Sequence, residues 1–400
     1  MKSASWGMPR SPVPPLLISL FIAYVALGVI GPVTPLLLLA EGASAAQIGL
    51  VASAHSVGFI LGTLTFGRLI GAIGHRRSFA VAVVVAASVT GGMAMARTPA
   101  LWALLRVALG VAHAGICLVA ESWLNAHATN QTRGRVFSAY MLTTWGGNVL
   151  GPLTISIVPA SAGLLALAAF VMLLAGVPVA LGRAPLPPAP ARQRVMLLGL
   201  ARVSPVGLVC CLAAGLSNSA FYAMSPVALS GRGYSQAAIA GFLVAINLAG
   251  MVAQMPIGLL SDWIGRRQAA LGVLLVGSVV GVAIYNAATA PYWVVVALGA
   301  AYSAMTSGLY GLGSSQTSDR LAGGDMVAAS GGLLLVWACG AAIGPAVAGR
   351  LMAAADPWAL FLYLPAVMAS VAIFTAVRMV LRSDAPRAER AVAVTAKGPG

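Results

Sequence analysis

A ten-residue charged segment, Gly258–Arg267, separates two apolar runs that are each long enough to cross a lipid bilayer as a helix. It reads GLLSDWIGRR, so an aspartate and two arginines stand between stretches that carry almost no charge. Glycine permits a tight turn, and Arg266 and Arg267 favour the cytoplasmic side of a membrane. Asp262 can accept hydrogen bonds at a helix end or pair with these arginines. The segment therefore predicts a cytoplasmic hairpin in an integral membrane protein.

A less complete copy of this hairpin, GRLIGAIGHRR, lies 191 residues earlier at Gly67–Arg77. The positions that match at this offset are Gly67 and Gly258, Gly74 and Gly265, Arg76 and Arg267, Gly42 and Gly233, and Ser44 and Ser235. Trp145 matches Trp337 at an offset of 192, and Gly151-Pro152 matches Gly344-Pro345 at 193. The chain is therefore predicted to consist of two similar halves in tandem, which is typical of transporters built from parallel repeats.

The hairpin pattern G-x-x-x-D-x-x-G-R-R, placed one membrane helix after the start of a half, resembles the signature of the major facilitator superfamily. Within that superfamily, Glu121-Ser122-Trp123-Leu124-Asn125, Arg133-Gly134-Arg135, Ser318-Asp319-Arg320-Leu321 and Ala328-Ala329-Ser330 resemble the YcaD-type branch. The resemblance covers essentially the whole chain. It implies an all-α integral membrane protein with twelve transmembrane helices in two pseudo-symmetric six-helix bundles, and it implies no particular substrate.

The apolar runs divide the chain in the same way. We expect spans near residues 15–40, 46–69, 78–96, 99–124, 135–158, 162–181, 205–229, 237–260, 268–288, 292–315, 327–352 and 357–381. The predicted organisation is a cytoplasmic tail (1–14), an N-terminal bundle (15–181), a proline- and arginine-rich linker (182–203), a C-terminal bundle (204–381) and a second cytoplasmic tail (382–400).

Composition and charge agree with this interpretation. A chain that is 60% hydrophobic and 8% charged is not a soluble globular protein, in which about 25% of residues are charged. The net charge of +15 could suggest a nucleic-acid partner, but most of the basic residues fall on the predicted cytoplasmic side. We therefore expect no nucleic acid, a multi-pass protein of the bacterial inner membrane, and both termini in the cytoplasm.

The fourth predicted span contains the largest number of polar residues. Arg106, Gly110, His113, Cys117 and Glu121 follow one another at steps of three or four, so they share one helix face. The segment around Arg106 also resembles the superfamily's fourth-helix arginine motif, which implies a role in substrate binding or proton coupling. The alternatives are that Arg106 extends to the outer surface and that His113 is a hydrogen-bonded packing residue.

Further polar residues at helical spacing are candidates for the wall of a central cavity. They are His55, Tyr24, Asn148, Asn218, Tyr222, Asn247, Tyr302 and Thr306, with Tyr140, Thr144, Ser225, Gln254 and Tyr310 as further members. For any single tyrosine or threonine the alternative is a hydrogen bond between helices.

The charged residues near the predicted cytoplasmic ends suggest a gate. We expect Glu121 to pair with Arg76 or Arg77, and Asp319 to pair with Arg266 or Arg267. Gly71 and Ala72 stand where the signature has its aspartate and arginine, so the N-terminal hairpin departs from the pattern.

The predicted cavity contains an arginine and no acidic residue at mid-membrane, which favours an anionic or zwitterionic metabolite over a cation. No Walker motif is present, so we expect transport driven by a proton gradient, with His113, His55 or Glu121 as the titrating group. The alternative is a polyspecific drug or metabolite efflux pump. The four cysteines have no metal-ligand spacing, and no catalytic dyad is recognisable. We therefore expect a monomeric carrier in the lipid bilayer, not an enzyme, with neither a metal nor a cofactor.

Overall fold

A computed structural model describes residues 13–128, 132–181, 197–321 and 326–381. In these ranges the chain is helical throughout, with fourteen α-helices and one short 3₁₀ turn. The helices are α1 Val13–Ala40, α2 Ala45–Ile73, α3 His75–Met93, α4 Pro99–His127, α5 Arg133–Ile157, α6 Ala162–Leu174, α7 Gly176–Leu181, α8 Leu197–Val203, α9 Pro205–Gly231, α10 Gln236–Ile264, α11 Arg266–Asn286, α12 Tyr292–Ser318, α13 Met326–Ala354 and α14 Leu360–Leu381.

These helices confirm the predicted all-α membrane architecture. Ten helical segments in the described ranges are long and apolar enough to cross a membrane, and α6 and α7 count as one of them. With α3 (19 residues) and α5 (25 residues), twelve segments have the length that a bilayer requires. Residues 1–12 of the predicted N-terminal tail, residues 182–196 of the linker and the predicted C-terminal tail lie outside the described residues, whereas residues 13 and 14 already belong to α1.

Two details differ from the expected spans. The sixth span is broken at Ala175 into α6 and α7, because Pro178 has no N–H to donate to the carbonyl group one turn earlier. The last seven residues of the predicted linker form the short helix α8, which packs against α9 and α13.

The sequence repeat coincides with the turns of the backbone. Among the described residues, the glycines with positive φ are Gly42, Gly74, Gly233 and Gly265, with angles from 79° to 101°. They form two pairs at the 191-residue offset, so both halves use glycine at the same two turns. Ser44 and Ser235, which match at the same offset, accept hydrogen bonds from backbone N–H groups at the starts of α2 and α10.

We call the end of the bundle where α1 begins and α14 ends the terminal end, and the opposite end the distal end. The two halves meet along α2 with α13, α5 with α10 and α1 with α9. Their close contacts lie toward the distal end. There, a Cβ atom on Gly49 would be 2.2 Å from the carbonyl oxygen of Pro345, and Ser53 Oγ accepts a hydrogen bond of 3.0 Å from Ala346 N–H. Gln236 Oε1 likewise accepts one of 2.8 Å from Ala160 N–H.

Candidate functional site

Two adjoining cavities lie between the halves. The larger has a volume of about 500 Å³ and is lined by residues of α1, α2, α4, α5, α9, α10 and α13. The smaller, of about 290 Å³, lies between α1, α2, α4, α5 and α13 and reaches the exposed Glu121 near the terminal end. The two cavities share Tyr24, His55, Ser56 and Tyr140, so these side chains form the boundary between them.

Most of the polar residues predicted for the cavity line it. The larger cavity is lined by Arg106, His55, Tyr24, Asn148, Tyr222 and Asn247, together with Tyr140 and Thr144. His113 lines the smaller cavity. Asn148 and Asn247 each donate one amide N–H to a carbonyl group of their own helix, and each keeps its oxygen and a second N–H for other partners.

The polar face of α4 is directed toward these cavities. Arg106 lines the larger one, whereas His113, Cys117 and Glu121 line the smaller one. Gly110, on the same face, packs against α2 because a Cβ atom there would be 2.0 Å from the carbonyl oxygen of His55. The helical rise places Arg106 and His113 about 10 Å apart along the axis, with Arg106 nearer the distal end.

A hydrogen-bonded cluster joins three helices at the boundary between the cavities. His55 Nε2 lies 3.2 Å from His113 Nδ1, and His113 Nε2 lies 3.4 Å from the hydroxyl group of Tyr24. That hydroxyl group also lies 3.4 Å from Cys117 Sγ. Phe59 packs edge-on against the His113 ring, with 5.4 Å between the centroids. The imidazole of His113 is therefore held from α1 and α2, and the polar chain runs from the larger cavity into the smaller one.

Two nitrogen atoms of the larger cavity's wall have no hydrogen-bond partner. Arg106 Nε and His55 Nδ1 are both buried and unpartnered. Among the described residues, the wall of this cavity contains no aspartate and no glutamate, so none of their carboxylates lies beside the Arg106 guanidinium there. Leaving the buried Arg106 N–H without a partner is costly, and an anion in the cavity would satisfy it.

Six of the predicted residues line neither cavity: Asn218, Tyr302 and Thr306, and, of the further members, Ser225, Gln254 and Tyr310. Tyr302 and Thr306 are fully buried within the C-terminal half, and Tyr302 packs edge-on against Phe221 with 5.0 Å between the ring centroids. Asn218 donates from Nδ2 to the Thr306 carbonyl at 3.4 Å, so it links α9 to α12. The side chains of Asn218, Tyr302 and Thr306 point between helices of one half. The prediction missed this because helical spacing identifies a helix face but not the neighbour that covers it.

In the C-terminal hairpin, charged residues join the end of α10 to α11 and α12. Arg266 lies 2.8 Å from Asp262 and 3.4 Å from Asp319, and it also donates to Ser261 Oγ at 2.9 Å. Arg267 is buried at 8% exposure.

The N-terminal hairpin uses different groups. No ion pair joins Glu121 to Arg76 or Arg77 within the described ranges, contrary to the sequence expectation, and Glu121 lines the smaller cavity instead. His75, which matches Arg266 at the 191-residue offset, lies 2.9 Å from Ser122 Oγ at the end of α4. A neutral hydrogen bond thus stands where the C-terminal half has an ion pair, because the first hairpin lacks the aspartate and has histidine in place of arginine.

Sequence reasoning assigned no cavity role to several residues. Cys117 was not among the predicted cavity residues, although its position on the α4 face could have indicated its contact with Tyr24. Trp145 lines the larger cavity and Trp337 the smaller, and their match across the repeat was the available signal. Ser56 and Ser219, which also line the larger cavity, carried no distinguishing pattern. In the described part of the chain, no three His, Cys, Asp or Glu side chains are grouped as metal ligands.

Comparisons with known proteins identify the family. The sequence matches the profile of the Major Facilitator Superfamily over residues 16–251 and again over residues 239–398. The uncharacterized MFS-type transporter YcaD of Escherichia coli (strain K12 / DH10B) is 30% identical over 349 residues, which cover 85% of this chain and 89% of that protein. YcaD of Salmonella arizonae is 30% identical over 364 residues, with 89% and 93% covered.

Solved structures share the fold at low sequence identity. The nucleoside transporter NupG superimposes with a TM-score of 0.77 at 12% identity, over 92% of this chain and 99% of that one. A bacterial homolog of the human lysosomal transporter Spinster, in an inward-facing and unoccupied conformation, superimposes with a TM-score of 0.72 at 14% identity, over 94% and 96%. Because the family profile covers nearly the whole chain and relatives with 30% identity span most of it, the protein belongs to the Major Facilitator Superfamily and is a multi-pass secondary transporter.

Proposed function

We propose that this transporter carries a small organic anion, or a zwitterion with a carboxylate, and that a proton gradient drives it. The observation that supports this most strongly is the Arg106 guanidinium, whose buried Nε has no partner in a cavity wall whose described residues include no acid. A charge buried in this way is costly unless a counter-ion is present, and a carboxylate is the natural planar partner of a guanidinium.

The remaining wall suits a metabolite with several polar groups. Asn148 and Asn247, on opposite halves, each use one amide N–H within their own helix and keep the amide oxygen and second N–H for a solute. Tyr222 holds its hydroxyl group in place through a 2.8 Å hydrogen bond to Ser303. A solute that touches both halves favours the conformation in which they close around it, as alternating access requires.

We further propose that the terminal end is cytoplasmic, that the protein is a monomer in the bacterial inner membrane, and that this conformation is closed on the outer side. The distal contacts between Gly49 and Pro345 and between Ser53 and Ala346 support closure there, and the smaller cavity supports access from the terminal end. The basic hairpins at the terminal end support its cytoplasmic location.

A second candidate function is polyspecific efflux of drugs or metabolites. The larger cavity is also lined by Trp145, Met141, Leu27 and Leu243, which could accept varied apolar solutes without using Arg106. The two functions differ in whether Arg106 is required.

Uptake into proteoliposomes under an imposed pH gradient tests the proposal. The panel contains radiolabelled carboxylates, amino acids and cationic dyes, and the proteins are the wild type, Arg106→Gln and the exposed control Arg97→Gln. We expect a carboxylate or amino acid to accumulate only with the gradient, with uptake lost in Arg106→Gln and kept in Arg97→Gln. Transport of cationic dyes that is indifferent to Arg106→Gln would establish the efflux function instead.

A further inference from the structure

Two imidazoles, those of His55 and His113, lie at the boundary of the two cavities, and one of their four ring nitrogens has no hydrogen-bond partner. His113 uses both ring nitrogens, one toward His55 Nε2 and the other toward Tyr24. His55 uses only Nε2, and its Nδ1 is buried without a partner. His55 also lines the larger cavity together with Arg106. The only unfilled nitrogen of the pair therefore belongs to the wall that carries the unpartnered guanidinium.

The pair can accept one proton without losing a hydrogen bond. Each neutral imidazole carries one N–H. If His55 Nε2 donates to His113 Nδ1, then His113 Nε2 donates to Tyr24, and His55 Nδ1 is a bare acceptor. A proton added to His55 Nδ1 leaves both existing hydrogen bonds in place and creates a new charged N–H donor.

We propose that the His55–His113 pair takes up one proton with each anion that binds at Arg106, so that the protein is an anion–proton symporter. This inference rests on the proposed function and names the group that couples the two ions. The anion is held at two points, by Arg106 and by the protonated His55. The proton comes from water and returns to water, and no bond between heavy atoms changes.

The charged and titratable groups around the pair are few, and they come from several helices. Tyr24 of α1 faces the pair. Arg106, Cys117 and Glu121 face it from α4. Tyr140 of α5 and Tyr222 of α9 line the same cavities. The residues of α10 and α13 that line the cavities carry no titratable side chain. Arg106 is the only cation among these groups, and Glu121 lies about 12 Å from His113 along α4.

The charges in this cavity couple the uptake of a proton to the binding of an anion. Without an anion, a protonated His55 would add a second cation to a cavity that already holds Arg106, and burial makes that costly. A bound carboxylate neutralises the charge of Arg106, which removes this repulsion and favours protonation of His55. At a separation of about 10 Å and an effective dielectric constant of about 20, one unit charge changes the binding equilibrium about tenfold, and by more at hydrogen-bond distance.

The test measures equilibrium binding of radiolabelled acetate, lactate, succinate, glutamate and benzoate to the purified full-length protein between pH 5.5 and 8. We expect the affinity of the wild type for a bound carboxylate to rise at least about tenfold as the pH falls across this range. His55→Gln and His113→Gln should still bind it, with an affinity that no longer depends on pH. The control His127→Gln, whose side chain forms a hydrogen bond with the Trp123 carbonyl in its own helix, should keep the wild-type pH profile.

The outcomes separate the two proposals. If none of the carboxylates binds to the wild type, the proposed function fails and this inference falls with it. If a carboxylate binds and Arg106→Gln abolishes its binding, the proposed function stands. If, in that case, the pH profile of binding is flat in the wild type, or is unchanged in both histidine variants, the histidine pair is not the coupling site. A purely structural role of the histidines would lower the thermal midpoint without changing the pH profile.

Discussion

Replacing Gly110 with alanine should separate α2 from α4 and disrupt the histidine pair. A Cβ atom at Gly110 would be 2.0 Å from the carbonyl oxygen of His55 and 2.7 Å from the backbone nitrogen of Phe59. Ordinary contact begins at 3.4 Å, so the helices would have to move apart by about 1.4 Å at this crossing. The obstacle is backbone, which cannot rotate away as a side chain can. A shift of this size would take His55 Nε2 and His113 Nδ1 from 3.2 Å beyond hydrogen-bond distance.

The expected cost follows from overpacking, which is typically about 1–3 kcal/mol. An overlap of this size with backbone belongs at the upper end of that range, and alanine recovers up to about 1 kcal/mol through its better helix propensity, so we expect a net loss of about 2 kcal/mol. The assay is thermal unfolding of the purified protein in detergent, together with the pH profile of carboxylate binding. The matched control is Gly272→Ala in α11, where nothing lies within 4 Å of the new Cβ atom, so its thermal midpoint should stay the same or rise. If Gly110→Ala were as stable as Gly272→Ala and kept the wild-type pH profile, the close crossing of α2 and α4 would be refuted.

Two further predictions concern the ends of the bundle. A double-mutant cycle with Arg266→Gln and Asp319→Asn should give a coupling energy below about 1 kcal/mol that falls with added salt. The reason is that these two side chains are 29% and 50% exposed. A salt-insensitive coupling energy of several kcal/mol would contradict this prediction. Gly349→Leu should prevent closure of the distal end, because even a Cβ atom there would be 2.4 Å from the Ala45 carbonyl oxygen. The assay uses a variant whose only cysteine is Cys117 and a water-soluble thiol reagent added from the terminal end. Labelling of Cys117 should decrease when Gly349→Leu is introduced. Unchanged labelling would contradict the predicted shift away from the state that is open at the terminal end.

The helical period predicted a part of the candidate site. It placed Arg106, His113, Cys117 and Glu121 on one face of α4, and the structure has all four lining the cavities. The period could not distinguish Tyr302 from Tyr222, since both lie on helices with polar faces. Tyr222 reaches the cavity, whereas Tyr302 is enclosed between helices of its own half.

The histidine pair shows most clearly what helical spacing leaves open. His55 and His113 are 58 residues apart, and their contact depends on how closely α2 crosses α4. Gly58 and Gly110 permit that approach, because a Cβ atom on Gly58 would be 1.9 Å from the Val107 carbonyl oxygen. A glycine in a membrane helix indicates a close contact without naming its partner.

The sequence by itself determined the membrane class, the twelve spans, the tandem repeat and the glycine turns. Apolar run length, charge distribution and glycine at positive φ are local properties, and a chain that must satisfy its backbone in lipid has few other choices. Only the tertiary structure decided which polar residues meet and at which end the halves close. Contacts between helices in lipid are determined by close packing of small residues, and not by burial of apolar surface from water. Which residues meet therefore depends on the angle and depth of each crossing, as at Gly110 against His55 and Gly49 against Pro345.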